Sequence, residues 1–282
     1  MFNFKFATRK AKASGQQKHT QNQQASKATW KGGLLVFVLV AIISFVYHIP
    51  SSWVIQQASQ NSLIPNHIQL NQAQGTIWNG KAQLSLTENN QTVELGQLHW
   101  RLSGLSLLSL HLDADVNLQT KSGGARGHLI TGLFNQEQFE FSRLQGQMPV
   151  QDLQPLLPEA YRNLGELTGQ VLLNDLGFVW DTSSNWLTEI SGSVQFSKLN
   201  VMGVTFPKLA LTPTLQDNNM RLEALGSGAG WNLTGQALLN LKNYQADFKV
   251  EAETPENMPD WTELIMRKNS AILATFKKKG RF

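Results

Sequence analysis

The residues with the strongest claim to chemistry are Gly75-Thr-Ile-Trp-Asn-Gly-Lys81, which spell G-x-x-x-x-G-K. A phosphate-binding loop of that form cradles phosphates in backbone N–H groups. It holds magnesium through a Ser or Thr after the lysine and runs directly into a helix. Ala82 stands where the hydroxyl is needed, bulky Ile77 and Trp78 occupy the loop, and Lys-Ala-Gln-Leu-Ser-Leu continues with the alternation of a strand. The segment therefore reads as two strands joined by a turn at Asn79-Gly80, a strong hairpin dipeptide, with Trp78 in a core or groove. Gly226-Ser-Gly-Ala-Gly230 has the glycine content of a dinucleotide fingerprint but also precedes a strand, so it reads as a hairpin loop.

The remaining titratable residues show no catalytic spacing. The six histidines, His19, His48, His67, His99, His111 and His128, form no i, i+4 pair and no H-E-x-x-H. Asp113 and Asp115 share one face of a strand about 7 Å apart, a spacing that could serve glycoside hydrolysis or calcium. No further acids cluster nearby in sequence, so the pair reads as a solvated face. There is no G-x-S-x-G elbow, and the absence of cysteine removes disulfides, thiolate metal sites and thiol nucleophiles together. The reading is of a protein that is not an enzyme and uses no cofactor or metal. An envelope hydrolase is disfavoured for want of a nucleophile and base.

The net charge of +4 is unevenly placed. Of 24 basic residues, seven lie in 1–31, which holds no acid, and four lie in 277–282, leaving 13 against 20 acidic residues between them. A mildly acidic middle is not the composition of a nucleic-acid-binding body. Residues 32–49, GGLLVFVLVAIISFVYHI, are apolar all round, which predicts a transmembrane helix at the short end of the spanning range. Lys27 and Lys31 precede it, and Tyr47 and Trp53 bracket its far end. The positive-inside rule then places 1–31 in the cytoplasm as a disordered basic segment and the chain from residue 50 onward outside it. No small-residue cleavage site comes after the apolar run, which argues against a signal peptide.

Beyond the anchor, period-two alternation dominates. Leu110, Leu112, Ala114, Val116 and Leu118 face one way along 110–118; Tyr244, Ala246, Phe248, Val250 and Ala252 do so along 244–252. Segments 80–86, 187–198, 219–225 and 231–241 alternate as well. One wet and one apolar face per strand is the pattern of antiparallel sheet. Ten or more such segments predict a long sheet that curls over its own apolar face. Gly146, Gly169, Gly192 and Gly235 recur in hydrophobic-x-Gly-polar-hydrophobic stretches, as at bulges or close backbone approaches. Helix is predicted after the anchor up to Pro65 and over 258–271, with Asp260 as N-cap; short turns at 150–165 would join two sheet halves. The expected domains are thus 1–31, an anchor at 32–49, a β-domain at 50–276 and a basic tail at 277–282.

GTIWNG at 75–80, LGQLHWRLSGLSLL at 95–108, LQPLLP at 153–158 and LGELTGQVLL at 164–173, in that order after an N-terminal anchor, resemble the protein N family of bacterial type II secretion systems. The resemblance covers about 50–250. It implies a bacterial inner-membrane accessory with a periplasmic β-domain, acting without catalysis in the export of folded proteins across the outer membrane. Its implied partners are the inner-membrane platform or the outer-membrane secretin. Two mechanisms fit the residues. In one, an exposed edge strand pairs with another component, with Trp78 and Trp100 as contact residues. In the other, a curled sheet similar to the AsmA-like proteins holds lipid in a trough lined by Leu84, Leu86, Trp100, Leu112, Val116, Phe196 and Phe248.

Overall fold

The computed structural model describes residues 23–60, 64, 68–88, 91–132, 137–154, 167–201 and 203–281, with the backbone alone for 23–32, 88, 91, 107 and 108. The chain divides into two units, 1–48 and 49–282.

The first unit is a helix, α1 (Gln23–Tyr47). Leu34, Phe37, Ile43 and Phe45, spread around its circumference, are all more than half exposed. Among the described residues no helix is long and apolar enough to cross a membrane; the side chains described run only from Gly33 to Tyr47, about 22 Å of helix. The helix ends two residues before the expected boundary at Ile49, where the His48 amide turns back to the carbonyls of Ser44 and Phe45. The segment expected to be disordered lies outside the described residues up to Asn22, but from Gln23 onward it is helical.

The second unit opens with α2 (Ser51–Gln60), which packs against β1 (Ile68–Gly75). Next in the chain are β2 (Asn79–Glu88), β3 (Gln91–Leu102), β4 (His111–Gln119), β5 (Gly124–Gly132) and β6 (Gln138–Pro149). A one-turn helix, α3 (Val150–Leu153), precedes β7 (Thr168–Asp181), β8 (Trp186–Val201), β9 (Val204–Gln216) and β10 (Asn219–Gly228). Then come β11 (Trp231–Leu239), β12 (Asn243–Ala252), α4 (Trp261–Ile265), β13 (Arg267–Ser270) and β14 (Leu273–Arg281). All fourteen strands form one antiparallel sheet. Its order follows the sequence up to β12, after which β14 is inserted before β13.

The predicted faces hold except at Leu110, which was expected on the apolar face but lies outside β4, 56% exposed and with φ +59°. In β4, Leu112, Val116 and Leu118 are half-buried and Ala114 buried, whereas His111, Asp115 and Asn117 are exposed. In β12, Val250 and Ala252 are buried and Gln245 and Glu251 exposed. The repeating glycines also sit where backbone geometry requires them. Gly169 and Gly192 have φ of +125° and +89°, beside register shifts in the β7–β8 ladder.

Five expectations are corrected. The sheet is open and is neither closed nor strongly curled. Its apolar face is covered locally instead. Val150 of α3 and Leu167 bury with Met148, Val171 and Leu199. Met258 and Trp261 bury with Trp231, Val250 and Ala274. Short caps of this kind remove the driving force for the sheet to fold onto itself. The first hairpin turns at Ile77-Trp78, because the Thr76 amide donates to the Asn79 carbonyl at 3.0 Å and Gly75 pairs with Gly80. Asn79-Gly80 is therefore strand.

The segment after Pro149 does not separate two sheet halves, since β6 pairs directly with β7; residues 155–166 lie outside the described residues. The helix expected over 258–271 is only the single turn α4, followed by an edge strand, and the Asp260 side chain makes no capping bond. The helix signal there was Asp260 with Glu263 three residues on, which marks where a helix starts and not how long it runs. Finally, 277–281 is not a tail but the second half of β14, paired in register with Asn243–Asp247 of β12.

Candidate functional site

The first site is the tip of the β1–β2 hairpin, which holds Trp78 and Trp100. The indole Nε1 of Trp100 donates to the Ile77 carbonyl at 3.0 Å, and the Leu102 amide donates to the Trp78 carbonyl at 2.8 Å. The entry of the chain into the body is fastened to the same tip. Pro50 bridges Thr76, the Ile77 amide donates to the Ile49 carbonyl at 3.1 Å, and the buried Ser51 hydroxyl donates to the Gly75 carbonyl at 3.1 Å. Both tryptophans are half-buried, so each presents part of its ring outward. The glycines that suggested a phosphate loop serve packing: Gly80 makes room for the Trp100 ring.

The second feature is the polar face over β3–β6. His128 of β5 lies between the two aspartates of β4, its Nε2 3.1 Å from Asp113 and its Nδ1 3.1 Å from Asp115. The imidazole is 14% exposed, so these two contacts are shielded from solvent on the His128 side. Sequence spacing hid it, because the partners meet through the β4–β5 register, in which Asp115 faces His128. Arg101, Arg126 and Arg143 stand exposed around a concavity of about 570 Å³ on this face, which also includes Trp100 and Val116. Among the described residues no group of three or more His, Asp or Glu could hold a metal ion.

The third feature is an apolar cavity of about 300 Å³ beneath α4, with no polar lining. Its walls include Phe206, Leu222, Phe248 and Phe276 from the sheet and Trp261 and Met266 from the segment above. Trp261 packs 5.2 Å from Phe206 and 6.0 Å from Trp231, centroid to centroid, and its indole Nε1 is buried without a hydrogen-bond partner. Of the residues the sequence placed in an apolar trough only Phe248 lines this cavity, and its roof, Trp261–Met266, was hidden because it was read as part of a longer helix.

The residues expected to line one trough are thus dispersed. Phe248 lines the apolar cavity, and Phe196 lines a concavity of about 600 Å³ with Gln170, Ser197, Lys208 and Ser227. Trp100 and Val116 border the polar face; Leu84, Leu86 and Leu112 are half-buried along β2 and β4.

Two carboxyls stand below the usual range. Asp181, at the β7–β8 turn, is held down first by the Ser183 hydroxyl and then by the Ser184 amide, which donates at 3.0 Å. Glu256 is held down by its own backbone N–H and then by the Thr254 hydroxyl. Both are fully exposed turn residues, so they speak of local order and not of catalysis.

A family model described as type II secretion system (T2SS), protein N, matches residues 66–271. Neither the curated proteins nor the solved structures give a match.

Proposed function

The chain belongs to the type II secretion system protein N family, and from that premise we propose that it is an accessory inner-membrane component of a type II secretion apparatus, working by protein contact. The family match spans nearly the whole sheet, and that observation carries the reading. In this reading the apolar segment 32–49 anchors the chain in the inner membrane. Lys27 and Lys31 keep the leading segment on the cytoplasmic side, and the sheet stands in the periplasm. Residues exposed all round α1 support the anchor, since a side chain such as Phe37 has no reason to face water on every side of a helix.

Contact would run through an edge strand. β1 is one edge of the sheet, and its eight residues, Ile68-Gln-Leu-Asn-Gln-Ala-Gln-Gly75, carry no charge and no proline. Short of Gly75, whose carbonyl the Ser51 hydroxyl already caps, an uncharged edge offers N–H and C=O groups for strand addition by a platform or secretin component. Trp78 and Trp100 at the end of this hairpin would supply the aromatic part of the contact.

The test is deletion of the gene followed by complementation, reading folded exoproteins in the culture medium. The wild-type chain restores export. A chain with Gln72→Lys and Gln74→Lys, both exposed on β1, accumulates normally and restores it poorly. Unchanged export after deletion would end the secretion reading, and full restoration by the lysine variant would end the edge-strand mechanism.

A further inference from the structure

The cavity beneath α4 has a chemistry that strand addition does not use. Its walls are wholly apolar, and its volume of about 300 Å³ is about twice that of an apolar cavity that takes up benzene. It also lies at the lower end of ligand-pocket sizes, enough for part of one chain and too little for a whole diacyl lipid.

The sheet register shows where such a chain would lead. Phe276 of β14 faces Phe248 of β12 across the cavity wall. Two residues along β14, on the same face by strand periodicity, stands Lys278. The row containing Lys278 continues through Ala246 and Ala237 to Leu222, which lines the cavity. Two alanines in that row leave a low strip beside the cavity. Lys278 is exposed and makes no ion pair among the described residues, whereas Lys268, Lys277 and Lys249 each hold a carboxylate within 3.0 Å. Along β11 the same face runs from Ala237 back to Trp231, packed against Trp261, over about 20 Å. A single leaflet's acyl chains span about 15 Å.

We propose that the cavity binds one acyl chain of an anionic amphiphile, its tail toward Trp231 and Trp261 and its charged head at Lys278. An apolar slot with an exposed cation on the same sheet face beyond its end is complementary to a carboxylate or phosphate carrying a hydrocarbon tail. It is not complementary to a neutral apolar peptide. The proposal is independent of the secretion reading, and either can fail alone.

The test uses the full chain held in amphipol and stearate brominated either near the carboxyl or near the methyl end, because bromine quenches tryptophan on contact. Saturable quenching is expected, stronger with the terminal bromine, and Trp261→Phe reduces it. Leu222→Trp fills the cavity and abolishes binding. Where that variant fails to fold by circular dichroism, Lys278→Glu decides. It weakens stearate binding about threefold to fivefold, the scale of an exposed ion pair, and leaves the matching fatty alcohol unchanged. A parallel titration with brominated phosphatidylglycerol separates the sources: quenching by stearate alone assigns a free fatty acid, and quenching by both assigns a membrane phospholipid as a competent donor. Absence of saturable quenching by either amphiphile overturns the proposal, as does a Lys278→Glu chain that binds stearate as tightly as the wild type.

Discussion

Gly80 and Trp100 form a cross-strand pair between β2 and β3, and the pair should behave as one unit. A methyl group added at Gly80 would lie 2.4 Å from Cζ2 and 2.8 Å from Cε2 of Trp100, and 2.9 Å from the Thr76 carbonyl oxygen. The indole cannot simply swing aside, because its Nε1 is tied to Ile77 at 3.0 Å. Gly80→Ala therefore forces overpacking, at about 1–3 kcal/mol, and weakens the hydrogen bond of the displaced indole, which is worth about 0.5–1.5 kcal/mol. A cost of about 2–3 kcal/mol corresponds to a Tm lower by roughly 4–12 °C for a body of this size. Trp100→Phe removes both clashing atoms. In that background Gly80→Ala should cost about 1 kcal/mol or less, the remainder coming from the Thr76 contact, so the double-mutant cycle shows a coupling of at least about 1 kcal/mol. Thermal unfolding of the four full-length proteins, monitored by circular dichroism, measures it. Additive effects within about 0.5 kcal/mol, or a Gly80→Ala protein as stable as the wild type, would refute the reasoning.

Three further outcomes are expected. The chain has no native cysteine, so single cysteines report topology cleanly: in cells with a permeabilised outer membrane, Ser184→Cys is labelled by an impermeant maleimide and Ser14→Cys is not, and the reverse pattern would invert the proposed orientation. Val250, fully buried between Leu233 and Ala274, should cost about 2 kcal/mol when truncated to alanine, whereas Leu264→Ala, at a site 82% exposed, should fall within about 0.5 kcal/mol of wild type in the same melts. The Asp181 carboxyl lies below its unfolded pKa, so its contribution to order at the β7–β8 turn is present above the unfolded value and disappears as pH falls through the folded one. Hydrogen exchange at Ser183 and Ser184, corrected for intrinsic rates, should lose protection over that acid range in the wild type and show no such pH dependence in Asp181→Asn.

The strands were legible because side-chain alternation is local. The inward set Leu112, Ala114, Val116 and Leu118 is written in alternate residues of one short segment, and sequential hairpins need little else. Glycine meaning was legible too, since a residue that recurs before Gln-Val-Leu-Leu or Gln-Ala-Leu-Leu has backbone work to do. What stayed hidden depends on which segment lies beside which. His128 meets Asp113 and Asp115 only through the β4–β5 register. The apolar cavity needs a one-turn roof whose five residues look like the start of a longer helix. The basic end looked like a tail because three consecutive lysines disfavour burial. It pairs all the same, with Lys277 reaching Asp247 at 2.9 Å and the other cations left in solvent.

That basic strand bears on how the sheet meets its surroundings. β13 covers β14 only at Leu273–Thr275, so Phe276–Arg281 is itself a sheet edge. Along that edge stand Lys277, Lys278, Lys279 and Arg281, and β13 adds Arg267 and Lys268. Charged, lysine-rich and very short edge strands resist pairing with another chain, because strand addition would bury or crowd those cations. The opposite edge, β1, is twice as long as β13 and carries no charge at all. Its only irregularity is the register shift between Asn71 and Gln74, with Gln72 at φ +53°. Two edges of one sheet treated so differently argue that growth of the sheet is blocked at β13–β14 and permitted at β1. The permitted end is also the one to which Ile49–Ser51, the first residues after the apolar helix, are hydrogen-bonded. An added strand would therefore dock beside Ile49–Ser51, at the end of the sheet where the chain enters the body.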